Sequence, residues 1–130
     1  MKVLSGILCA MFVLAPVLTF ALPGDAVEVV ELKLAKDVAD RSPVDASDSF
    51  EMGSTVVTWM KLMVREPEST IKVRYSIGGI VTWTSEAITV KKSVAWRTWL
   101  RKSFHKAGEW KVEVLDAGDN PIFSSKFTIR

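Results

Sequence analysis

In a chain of 130 residues, 17 Lys and Arg stand against 15 Asp and Glu, a formal charge of +2. So near a balance gives no argument for nucleic acid or an anionic surface as partner. One cysteine, Cys9, and one histidine, His105, exclude a disulfide framework and any zinc site built from several histidines or cysteines.

Met1-Lys2 precedes an uncharged apolar run, Val3 to Leu22, that ends in Thr19-Phe20-Ala21. A basic start, an apolar stretch and small residues before a cut are the pattern of a secretory leader. The expected organisation is a signal peptide over 1–21, a lead-in over 22–30 and one domain over 31–130. A second cut site follows Ala26. The alternative is an uncleaved anchor, because the run barely suffices to span a bilayer. Lipidation of Cys9 is disfavoured by Leu8 in front of it, where a small residue is wanted. Cleavage removes Cys9, so the exported chain would be held by its apolar core alone.

Glu31 to Lys36 alternates charged and apolar residues, as a half-buried strand does. Asp37 to Gly53, rich in Asp and Ser with Pro43 inside, is expected as a long surface loop. Ser54 to Val64 is β-branched and apolar enough for a central strand buried on both faces, ended by a turn at Arg65-Glu-Pro-Glu-Ser69. Ile71, Val73, Tyr75 and Ile77 alternate with polar residues up to Gly78-Gly79, and Ile80-Val81-Thr82-Trp83 follows. Two glycines between strands predict a tight hairpin, since glycine reaches positive φ without steric cost.

Ala87 to Lys91 is a further strand leading into Trp96-Arg97-Thr98-Trp99. Trp110 to Asp116 and Phe123 to Arg130 are strands about a turn at Ala117-Gly-Asp-Asn-Pro121. Short strands, frequent turn signals and no helical period predict an all-β fold: an antiparallel β-sandwich of six to eight strands, immunoglobulin- or fibronectin-III-like.

On a strand, Trp96 and Thr98 face one way, Arg97 and Trp99 the other. Burying an indole contributes up to roughly 5 kcal/mol, against about 0.5–2 for a guanidinium over its face. Packing therefore dominates, and Trp96, Arg97 and Trp99 are read first as structural. His105 with Ser103 two residues away lacks an orienting acid and a glycine-flanked nucleophile turn. Asp37, Asp40, Asp45, Asp48 and Glu51 do not have the spacing of a calcium loop. No catalytic residue, cofactor or metal is assigned. Charge is uneven: acids prevail between Val27 and Phe50, while Lys91, Lys92, Arg97, Arg101, Lys102 and Lys106 make the second half basic.

Arg74-Tyr75, Trp96-Arg97-Thr98-Trp99 with Lys102, the strand Gly108-Glu-Trp110-Lys-Val112-Glu-Val114-Leu-Asp116, and Phe127 together resemble the bacterial domain of unknown function 2914, from about Leu32 to Arg130. The chain departs from it in Val73-Arg74-Tyr75, where His-Arg-Trp is often seen, and in Leu100, where a small hydroxyl residue often stands. The resemblance implies an extracytoplasmic β-rich module of a Gram-negative-type bacterium, and no established activity or ligand.

The resulting expectation is a non-catalytic module, periplasmic or secreted. It contacts a protein, envelope or glycan partner, not nucleic acid, through Arg97, Arg101 and Lys102, with Trp99 and Trp83 alongside. The structural motif is Trp96, Arg97, Trp99, Gly108, Trp110, Arg74 and Tyr75. The alternatives are a carbohydrate-binding module using exposed indoles and, more remotely, a hydrolase.

Overall fold

The computed structural model describes residues 26–130; the leader reading over 1–21 lies outside them. The strands, in chain order, are β1 (Val27–Ala35), β2 (Asp37–Ala39), β3 (Ser42–Val44), β4 (Ser49–Phe50), β5 (Thr55–Ile77), β6 (Ile80–Thr84), β7 (Ile88–Ser103), β8 (Gly108–Leu115) and β9 (Pro121–Ile129). The described residues contain no helix.

The spine is a single long hairpin. Gly78 and Gly79, at φ 61° and 80°, make the two-residue turn that needs positive φ at both central positions. From Ile77↔Ile80 the pairing runs back through Tyr75↔Trp83, Ile71↔Ile88 and Leu62↔Trp96 to Thr55↔Ser103. Its register slips near the turn between Tyr75 and Ser76, and further out between Leu62 and Val64 and again between Val64 and Glu68. At these outer slips the hairpin bends, and its two ends enter opposite layers, as strands that switch sheets at bulges do.

The expected turn at Arg65–Ser69 is therefore corrected: these residues are part of β5. Pro67 has no N–H to give to a ladder, which suits it to a bulge within a strand.

One layer holds β1, the first half of β5 and the second half of β7. The other holds β4, β9, β8, the second half of β5 and β6. All seven strands form one continuous sheet folded over on itself, and β2 pairs only with β3. The sheet is mixed rather than purely antiparallel, because β4 runs parallel to β9 through Thr128↔Ser49 and Ile129↔Phe50.

Between the layers, Val56, Met60, Leu62 and Val64 meet Ile71, Val73, Tyr75, Val112, Val114, Phe127 and Ile129. The hydroxyls of Thr58 and Tyr75 share a hydrogen bond of 2.6 Å, tying the two halves of β5 together across the core. Val57 and Trp59 point the other way and are buried as well, so β5 has the two covered faces that its sequence implied.

The cover on that side is the β2–β3 hairpin, where the indole N–H of Trp59 donates to the carbonyl of Arg41 at 3.0 Å. Residues 37–53 are thus strands and turns, not the expected loop. Their hairpin turns on Asp40 and Arg41 at φ 52° and 62°. No glycine marks this turn, and Asp is among the few residues that tolerate such φ.

Candidate functional site

Among the described residues β6 and β7 each lie at an edge and pair only with β5, as β1 does, while β4 pairs only with β9. Alternation along β7 sets its side chains on two faces. Register places Trp96, Thr98, Leu100 and Lys102 beside the inward residues Leu62, Met60, Thr58 and Val56. Trp96 and Leu100 accordingly pack on the core. Arg97, Trp99 and Arg101 lie beside Lys61, Trp59 and Val57 on the outer face.

The five residues expected to form one binding edge are therefore split. Arg97, Trp99 and Arg101 share the outer face. Lys102 turns inward and sets its Nζ 4.5 Å from the ring centroid of Trp83 and 5.8 Å from that of Phe104. The cation–ring contact in this region is thus made by Lys102, where the sequence pointed to an arginine.

Trp83 is held from the other layer. Its ring stacks on Tyr75 at 5.8 Å, and Tyr75 also meets Phe104 edge-on at 5.0 Å. Trp83 remains 38% exposed. Thr82, Trp83, Lys102, Ser103, Phe104, His105, Lys106 and Trp110 line a groove of about 280 Å³ where the two layers meet. That groove brings Ser103 and His105 together, and no carboxylate lines it.

Around the groove the supporting residues have separate duties. Trp110 is buried, and its indole N–H donates to the Lys106 carbonyl at 2.9 Å. Gly108 takes φ 143° beneath Ile77. Arg74 stands opposite Glu113 on the neighbouring strand, and the two pair at 3.0 Å. Asp116 closes the β8–β9 turn, its Oδ1 accepting from the backbone N–H groups of Gly118 and Asn120, each at 2.9 Å.

On the outer face Arg101 pairs with Asp37 at 3.2 Å. Asp37 is held below the usual carboxylate range, first by the Val38 N–H and then by Arg101. Arg97 has a buried Nε without a hydrogen-bond partner among the described residues. Of the acidic residues considered for calcium, Asp37 and Glu51 are bound to Arg101 and Arg130.

The sequence reading missed Thr58, Phe104 and the exposure of Ile80 (69%) and Val81 (51%). An Ile-Val pair reads as core, and nothing local reveals that its strand has a neighbour on one side only.

Solved structures with this architecture set the class. An immunoglobulin-like protein from Pseudomonas aeruginosa matches with a TM-score of 0.53 at 15% identity, over 82% of this chain and 98% of that one. A Niemann-Pick type C2 protein from Japanese carpenter ant matches with a TM-score of 0.53 at 12% identity, over 82% and 94%. The Pseudomonas fluorescens alkylpurine DNA glycosylase AlkC, bound to DNA containing an abasic site analog, matches with a TM-score of 0.57 at 13% identity; 82% of this chain covers 31% of that one. At such identities the likeness is one of fold, and it makes the protein an immunoglobulin-like β-sandwich module. No curated protein matches the chain.

Residues 68–129 match the family described as protein of unknown function (DUF2914). Arg74-Tyr75, the Trp96–Trp99 segment, Gly108 to Asp116 and Phe127 all fall inside that stretch.

Proposed function

We propose that the protein is a non-catalytic interaction module, working outside the cytoplasm, that docks an acidic surface of a protein partner along the β7 edge and the groove beside it. The observation behind this reading is one-sided charge. From Ala87 to Gly108 there are six cations, Lys91, Lys92, Arg97, Arg101, Lys102 and Lys106, and no carboxylate. Among the described residues only Arg101 of these has an acidic partner. Unpaired cations along a free edge steer and orient an anionic partner more than they stabilise the fold.

The arrangement favours a protein over a sugar. Trp96 faces the core, Trp99 the outer face and Trp83 the groove, so the indoles form no common platform for a sugar chain. Trp83 is moreover already engaged by Tyr75 and Lys102.

The test is titration of the folded chain with a Glu-rich peptide, with a neutral oligosaccharide and anionic-lipid vesicles as the other arms. The expected result is binding of the peptide that weakens as salt is raised and falls at least about tenfold in Lys102→Ala/Lys106→Ala at unchanged melting temperature. Equal binding by the folded variant, or capture of the sugar or the vesicles instead, overturns the reading.

A further inference from the structure

The β6 and β7 edges are built in opposite ways. The β7 edge carries Lys91, Lys92, Arg97, Arg101 and Lys102, the charged guard with which proteins keep foreign strands from pairing. The β6 edge, Ile80-Val81-Thr82-Trp83-Thr84, carries no charge, every residue of it is exposed, and its one irregularity is a register slip that leaves Thr82 unpaired. An uncharged, apolar, open strand is a liability unless something occupies it.

Pairing geometry leaves its backbone available. In a two-residue hairpin the pair flanking the turn, here Ile77 and Ile80, exchanges its hydrogen bonds. The next pair in an antiparallel ladder does not, so Val81 turns its N–H and C=O outward.

We propose that β6 accepts an extended, acidic peptide segment of a protein partner as an added strand. This deepens the docking reading above and rests on it. Main-chain hydrogen bonds supply the affinity, and alternate side chains supply the selection. One set of side chains lies toward the groove, where the exposed part of Trp83 receives an apolar group and Lys102 and Lys106 receive a carboxylate. A second copy of this chain fits poorly, because its own β6 carries no carboxylate to meet Lys102 and Lys106.

The experiment uses the folded chain and a short synthetic peptide of alternating Val and Glu. A second peptide has the same sequence with N-methylated amides on one edge, which keeps the charge and removes the main-chain donors. Binding is read by calorimetry, and backbone protection by NMR hydrogen exchange. Expected are slowed exchange at Val81 on binding and at least about tenfold weaker binding of the methylated peptide.

Val81→Pro is expected to lose the peptide to the same extent at unchanged melting temperature, since an edge strand tolerates Pro where its N–H faces solvent. Equal binding of both peptides by the native chain, or unchanged binding by a folded Val81→Pro, overturns strand addition while leaving acidic docking intact. Failure to bind either peptide, or any Glu-rich peptide, overturns both. Peptide-independent dimers lost in Val81→Pro overturn it in favour of a second copy.

Discussion

Tyr75 shows how much a single residue carries. It is the one tyrosine of the chain, wholly buried, hydrogen-bonded to Thr58 and in ring contact with Trp83, Phe104 and Phe127. Burial raises its phenol above the ordinary 10.0, and the Thr58 hydroxyl opposes this only in part. A raised folded pKa on an acid favours the neutral form. The contribution of Tyr75 to stability is accordingly flat below about pH 10 and falls above it, where only the unfolded chain ionises freely. An absorbance titration should show no phenolate until the circular dichroism of the fold is lost. Thr58→Val leaves the phenol without its partner and should cost about 1–3 kcal/mol in urea denaturation. The inward placement of Tyr75 was legible from its alternation with Arg74 and Ser76. Its partner was not, because it lies in the opposite layer.

At the level of elements, the turns between strands depend on a few backbone positions. Gly108 opens β8 at φ 143°, and a Cβ there would stand 2.9 Å from Cδ1 of Ile77. That atom is the far end of a flexible side chain and can move, whereas the backbone angle cannot be relieved for an L-residue. Gly108→Ala should therefore lose about 1–3 kcal/mol by urea denaturation, and adding Ile77→Val should restore only the smaller, steric share. Recovery of full stability in the double variant would assign the cost to Ile77 instead. The Gly78-Gly79 turn was legible because its chemistry is local. The β2–β3 turn on Asp40 and Arg41 was not, since neither residue announces a positive φ.

On the scale of the whole molecule, the β5–β7 hairpin crosses from one layer to the other, so neither layer closes without it. The stretch that matches the family begins at residue 68, inside β5 and past its bend. A fragment of residues 68–130 lacks β1 and the first half of β5, and with them Val56, Met60, Leu62 and Val64 of the core. It should be unfolded by circular dichroism, while 26–130 should unfold in one transition seen alike by tryptophan fluorescence and circular dichroism. A folded, cooperative 68–130 fragment would refute this dependence.

By itself the sequence determined the all-β class, the sandwich architecture, the central strand with two covered faces and the Gly-Gly hairpin. Each of these follows from residues that act on their neighbours one or two positions away. Tertiary structure alone decided which strands stand at an edge, which tryptophan meets solvent and which cation lies over it. Lys102 and Trp83 meet only because the long hairpin folds back on itself, and its bend at Val64–Glu68 carries no signature beyond a proline that reads equally well as a turn. Contacts between layers are set by the pairing of distant strands, and no local pattern encodes them.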